Sequence, residues 1–150
     1  MKKEDLSEHF TLAEMCKTKV NLENVPNEVQ VNNLKRLCSW LEMLRSEWNK
    51  RYGEGDDPIV INSGYRSEAV NKAVGGAPTS NHLTGCAADI RVSGMEQALR
   101  YAVILLDISD ERHEDFDELL IERNARGAIW LHFAVRESGN RRRLTWVGRS

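Results

Sequence analysis

Between Ser80 and Asp89 the sequence reads Ser-Asn-His-Leu-Thr-Gly-Cys-Ala-Ala-Asp, and this stretch limits what the chain can become. It places an imidazole at His82 and a carboxylate at Asp89, seven positions apart. Residues an odd number apart on an unbroken strand point to opposite faces, so a straight strand would separate the two groups. Thr84-Gly85 is a turn signal, and glycine adopts backbone angles that other residues avoid, so a bend there brings both groups to one side. Cys86-Ala87-Ala88 leaves room for close packing beside them. The stretch therefore predicts a turn feeding a buried strand over Ala87 to Val92. His82 and Asp89 become two ligands of a metal ion, and the third must come from another part of the chain.

The 150 residues are 41% hydrophobic and 29% charged, the balance of a globular protein with room for a core, and one domain over 1–150 is the simplest organisation. A net charge of −2 argues against a broad nucleic-acid footprint. Cys16, Cys38 and Cys86 are an odd number with no CxxC pair, so no disulfide framework is expected and synthesis in a reducing compartment is the simpler reading. The N-terminus turns acidic at Glu4-Asp5 and has no apolar signal-peptide core. The longest apolar run, Tyr101 to Leu106, is too short to span a bilayer. The expectation is synthesis in the cytoplasm without a signal peptide, so a substrate outside the cell requires another route of delivery; a mature form lacking its leader is the alternative.

From Pro26, Val31, Leu34, Leu37, Leu41, Leu44 and Trp48 recur at three- and four-residue steps, predicting a long scaffold helix to about Tyr52. Before it, Thr11 with Glu14 three residues on signals a short helical entry, and His9 reads as a surface or capping residue. Pro58 to Asn62 reads as a strand, and Ser67 caps a short helix that Gly75-Gly76 closes. Arg66 sits at that strand-to-helix turn, a position from which scaffolds present functional side chains. Ser93-Gly94-Met95-Glu96 has the form of a capping box opening a helix to about Asp107, with Met95, Leu99, Ala102, Leu105 and Leu106 facing the core. Asp107 to Glu114 reads as a solvated loop.

Phe116 to Glu122 and Ala128 to Val135 form a predicted hairpin around the loop 123–127. Trp130 and His132, two residues apart on its second strand, face the same way, and His132 is the third ligand that the 80–89 stretch requires. Arg141-Arg142-Arg143 reads as a solvated turn before a last strand. Two His and one Asp with a fourth position open for water is the arrangement of catalytic rather than structural zinc. Hydrolysis of an amide also needs a general base. Glu122 and Glu118 lie on the strand paired with that of His132, and Arg66 can bind a carboxylate or a developing oxyanion.

Ser63-Gly64-Tyr65-Arg66-Ser67, then Ser80-x-His82-x-x-Gly85-x-Ala87-x-Asp89, then Glu122 before Trp130-x-His132, resembles the zinc D-Ala-D-Ala carboxypeptidase family. That family includes phage L-alanyl-D-glutamate endolysins and shares the hedgehog/DD-peptidase fold; the resemblance spans about residues 7 to 135. It implies an α+β fold, a small antiparallel sheet carrying one Zn2+ and flanked by helices. It also implies His82, Asp89 and His132 as ligands, Arg66 against substrate or transition-state charge, and Ser80 assisting, with Trp130 beside the substrate. The implied substrate is a peptide bond in the peptidoglycan stem, reached from the cytoplasm by phage-type release. Many members carry the catalytic acid three residues before the last His, where this chain has Ile129. Glu122 is then the first choice for the base and Glu118 the second, because a register pairing 122 with 128 sets 118 opposite 132. Ile129 also admits a second reading, a non-catalytic module that binds zinc or cell-wall peptide without cutting it. Terminal or internal cleavage, host or prophage origin, and oligomeric state are left open by the sequence.

Overall fold

A computed structural model describes residues 4–148. The elements run α1 (Leu12–Met15), α2 (Glu28–Arg51), β1 (Ile61–Ser63), α3 (Glu68–Ala73), a 3-10 turn over Asn81–Thr84, β2 (Ala87–Arg91), α4 (Met95–Arg112), β3 (Glu118–Arg123), β4 (Ile129–Ala134) and β5 (Arg143–Gly148). Among the described residues the five strands form one sheet in the order β1-β2-β4-β3-β5. The class is α+β, as expected, and every pairing is antiparallel except that of β3 with β5, which is parallel. The expected all-antiparallel sheet fails at this edge because the chain returns through 135–142 before adding its last strand, so β5 runs alongside β3 rather than back from a hairpin.

The period of α2 is borne out. Leu34, Leu37, Leu41, Leu44 and Trp48 are buried on one side, and Asn27 closes a reciprocal capping box with Gln30. Trp40 stacks at a tilt on Phe133, and Trp48 meets Tyr101 edge-on, so both indoles serve packing. Thr11 caps α1 through the Glu14 N–H, and Ser67 caps α3 through the Val70 N–H, both as read. His9 hydrogen-bonds Glu42 at 2.6 Å, a surface tie rather than a ligand.

Four expectations need correction. The first strand is Ile61–Ser63 rather than 58–62, since Pro58 cannot donate to a ladder and pairing with β2 starts at Ile61↔Ile90. α4 opens at Gly94 without a side-chain cap; the Ser93 N–H is taken instead by Gln97 Oε1. Its core face carries Ala98, Tyr101, Ile104, Leu105 and Ile108, while Met95 and Leu99 are exposed. Two stripes offset by one position both fit a 3.6-residue period, and the one that lets Tyr101 meet Trp48 is buried. The helix also continues to Arg112, ending where His113 turns left-handed at φ 55°. The charged residues of its last turns, Asp107 and 110–112, lie on its outer side, with Asp107 held by Arg51 and Asp110 by Arg142. Polarity there marks exposure, not a helix end. Cys16, Cys38 and Cys86 are free thiols. Among the described residues no helix is long and apolar enough to cross a membrane.

One face of the sheet buries Ala88, Ile90, Leu119, Leu131 and Phe133 beneath α2 and α4. The residues that alternate with these point the other way.

Candidate metal centre

On that second face Asp89 of β2 pairs with His132 of β4, which pairs with Leu120 of β3. Directly opposed side chains share a face, so Asp89 and His132 become neighbours, flanked by Glu118 and Glu122 on either side of Leu120. The hairpin loop is 124–128, and Glu122 lies opposite Trp130 and Glu118 opposite Ala134. The expected register, 118 against 132, is therefore off by two. A two-residue shift preserves which face each side chain occupies, so both glutamates still reach His132.

His82 arrives from the 3-10 turn rather than from a strand. Ser80 caps that turn, its Oγ accepting the His82 N–H at 3.1 Å. Gly85 ends it at φ +77°, the bend that the seven-residue spacing required. A Cβ there would also stand 2.6 Å from the Gln30 carbonyl oxygen of α2.

The two rings are oriented by their outer nitrogens. His82 Nδ1 lies 2.6 Å from the Gly64 carbonyl oxygen, which can only accept, so Nδ1 carries the proton and Nε2 faces Asp89 Oδ1 at 3.3 Å. His132 is turned the opposite way. Its Nε2 donates to Glu118 Oε1 at 3.0 Å, and its Nδ1 lies 3.0 Å from Asp89 Oδ1 and 3.4 Å from Glu122 Oε1. One ligand atom from each of His82, Asp89 and His132 lies within 4.8 Å of the others, and all three residues are buried. Each His has one nitrogen tied down and one turned inward, the orientation that metal-binding imidazoles take from their surroundings.

The electrostatics ask for a cation here. Burial alone would push His132 toward neutrality, yet the hydrogen bonds to Asp89 and Glu118 outweigh it and raise the imidazole to about 10. Burial would likewise raise Asp89, but His82 and His132 hold it well below the usual carboxylate range. The Glu118 carboxyl is held at about 2, first by its hydrogen bond from His132. A buried carboxylate and two imidazoles whose ligand atoms lie within 4.8 Å of one another, with three carboxylates around one ring, fit a dication of the zinc type.

Arg66 is brought to the site as read. Its Nη2 holds Asp89 Oδ2 at 3.2 Å, its Nε donates to Ser63 Oγ at 3.0 Å, and its Nη1 reaches Asn71 Oδ1 at 3.3 Å. Trp130 joins Ser80, Arg66 and the ligands in lining a cavity of about 390 Å³, and the Trp130 indole N–H is buried with no partner among the described residues. Ile129 pairs with Arg123 and, three positions from His132, faces the opposite side of the sheet. An unbroken strand does not present residues 129 and 132 on one face, and the two glutamates beside His132 come from β3.

The arginine run corrects the sequence reading most. Arg141 chelates Asp117 through Nε at 3.0 Å and Nη2 at 2.8 Å, and Arg143 reaches Glu118 Oε2 at 3.2 Å. Arg142 turns back to Asp110 and Asp115. Asn81 ties the set together, giving its amide to Asp117 at 2.7 Å and to Glu118 at 2.8 Å while accepting from Arg136 at 2.9 Å. Thus Asn81, Asp117, Arg136, Arg141 and Arg143 brace the carboxylate that orients His132. Arg143 opens β5 opposite Glu118, whereas Arg141 precedes the strand and Arg142 between them is left-handed at φ 50°, so no strand periodicity in the sequence marked the pair.

Against known proteins, the peptidase M15 family model matches residues 8–123. A zinc D-Ala-D-Ala carboxypeptidase of Streptomyces albus G is 50% identical over 40 residues, covering 27% of this chain and 16% of that protein. The family match stops before β4, so His132 joins the site on geometry, through its register opposite Asp89. The ion that the family implies is Zn2+, the one that the His-Asp-His cluster fits. The chain belongs to the peptidase M15 family.

Proposed function

We propose that the chain is a zinc-dependent peptidase that hydrolyses a peptide bond in bacterial peptidoglycan stem peptides. The observation that supports this best is the division of labour around His132, where Glu118 sits on the outer nitrogen and Glu122 on the nitrogen that faces the ligand cluster. One carboxylate orients a ligand and the other stands where chemistry would occur.

His82 through Nε2, His132 through Nδ1 and Asp89 would hold the ion. Zinc, when bound, supplies a Lewis acid that makes water nucleophilic near neutral pH. Glu122 takes the proton of the attacking water and returns it to the departing amine, the role of a general base that becomes a general acid. The guanidinium of Arg66, fixed by Ser63, Asn71 and Asp89, offers its remaining N–H groups to the oxyanion or to a substrate carboxylate. Trp130 and Ser80 line the cavity wall where the substrate would lie. Leu120 and Trp130 keep this face partly dry, which strengthens each charge. Access to the wall by phage-type release completes the reading.

The test is mass spectrometry of purified muropeptides incubated with the protein, with and without a zinc chelator. Fragments that vanish with chelator and return with zinc are expected, and their masses name the bond. Ala at His82, Asp89 or His132 should remove zinc and turnover together. A protein that carries one zinc and cuts nothing would instead be the binding module.

A further inference from the structure

A second cavity, of about 580 Å³, is lined by Arg66 and by none of the metal ligands. Its wall includes Lys17, Lys19, Arg66 and Arg91 and no carboxylate. Arg66 and Val74 line this cavity and the metal cavity alike, so the two form one continuous surface. The protein as a whole is net negative, which makes four cations along one groove a local feature rather than a sample of the general surface. Every other arginine near the site is occupied by carboxylates: Arg66 by Asp89, Arg136 and Arg141 by Asp117, Arg143 by Glu118. Among the described residues, no Asp or Glu lies within ion-pair distance of Lys17, Lys19 or Arg91, and packing does not account for these exposed side chains.

The loop that carries the lysines is pinned rather than trailing. Asn24 donates to the carbonyl oxygens of Cys16 and Tyr65 and accepts the Ser67 N–H, so residues 17–23 are held against the start of α3. The groove floor is Asn62 and Ser63 of β1, an outer strand with a single neighbour in the sheet, and an extended peptide can lie along such an edge. Val20, Val70 and Val74 supply apolar wall for side-chain methyls.

Building on the peptidase reading, we propose that the Lys17–Lys19–Arg91 groove is a subsite for a carboxylate-bearing residue of the peptide substrate, lying on the β1 side of the scissile bond. It selects acidic peptides over their amidated counterparts. A site whose three cations make no direct ion pair among the described residues and stand within a Debye length, about 8 Å, of a bound carboxylate adds preference for the charged form and loses it in high salt.

The probe is a pair of fluorescein-labelled pentapeptides, L-Ala-γ-D-Glu-L-Lys-D-Ala-D-Ala with the glutamate α-carboxyl either free or amidated. Binding is read by anisotropy on zinc-loaded Glu122→Gln protein, so that the peptide is not cut. The free acid should bind about tenfold more tightly than the amide at low salt, by the small sums expected of exposed ion pairs. Adding Lys17→Gln, Lys19→Gln and Arg91→Gln should abolish that preference. Removing the same charge elsewhere, with Lys35→Gln, Lys50→Gln and Arg126→Gln, should leave it intact. Equal binding of acid and amide, or a preference that survives the groove substitutions, overturns the proposal. So does tighter groove-dependent binding of an oligonucleotide or of polyphosphate, which would make this a phosphate-polymer site. If wild-type protein cuts neither peptide yet the groove-dependent preference is present, the subsite stands and the peptidase reading falls.

Discussion

Glu118 and Glu122 lie four residues apart on one strand and both reach His132, yet substitution of each by Gln should have opposite consequences. Glu118 Oε1 accepts from His132 Nε2 at 3.0 Å and from Asn81 at 2.8 Å, while Oε2 accepts from Arg143 at 3.2 Å. In Glu118→Gln the amide oxygen can keep the first two partners, but the NH2 group then faces the Arg143 donor and that contact is lost. The charge that makes His132 a better ligand goes with it. Loss of such an outer partner costs about 10- to 100-fold in metal affinity, or about 1.4–2.7 kcal/mol. Glu122 touches neither outer nitrogen. Glu122→Gln should therefore hold zinc within about threefold of wild type, while the missing proton acceptor lowers turnover by about 10²- to 10⁴-fold. Competition for zinc against a chromogenic chelator, run beside muropeptide turnover at saturating zinc, separates the two. Glu118→Gln should regain much of its rate as zinc is raised, and Glu122→Gln should not. If Glu118→Gln keeps zinc and loses turnover that zinc cannot restore, Glu118 is the base and the assignment drawn from His132 is wrong.

Asp117 carries a fully buried carboxyl that burial would raise, but hydrogen bonds from Arg141 and Asn81 win and hold it at about 2. Because its folded value lies below the ordinary ~3.9, it contributes stability above pH 4 that is lost as pH falls through 2, about 2 kcal/mol in all. Urea unfolding from pH 5 down to pH 2 should show this loss in wild type and a flatter profile in Asp117→Asn, which should itself be about 1–3 kcal/mol less stable at pH 7. Parallel profiles would remove Asp117 from the acid response. Gly64→Ala would drive a Cβ into the Met15 carbonyl oxygen, a backbone atom that cannot step aside, and so shift the carbonyl that orients His82. Zinc affinity should drop about tenfold or more with a stability loss of about 1–3 kcal/mol; unchanged zinc binding would mean that the Gly64 carbonyl does not set the ring. Gly85→Ala, strained at φ +77° and blocked by Gln30, should cost stability of the same order, read from the thermal midpoint.

How far the sequence could be read depended on whether a feature was local. The bend at Gly85, the cap at Thr11, the α2 stripe and the His82–Asp89 pair are each written in short-range spacing, and each appears in the structure; His132, 43 residues beyond Asp89, was reached through the Trp130-x-His132 motif. What failed was set by partners distant in sequence. The face that α4 buries was decided by Trp48, more than forty residues earlier, and its length by Arg51 and Arg142, which turn an acidic segment into a satisfied helix surface. The arginines at 141 and 143 could not be matched to Asp117 and Glu118 without knowing that β5 lies parallel to β3, with Arg143 directly opposite Glu118. Strand parity, by contrast, survived the wrong register. A shift of two along β3 left Glu118 and Glu122 on the face of His132, so both candidate acids lie beside its ring, while strand parity alone does not separate their roles. The roles proposed for them rest on the ring of His132 itself. Whichever carboxylate takes its outer N–H is committed to holding it still, and the one on the inner nitrogen remains to move a proton.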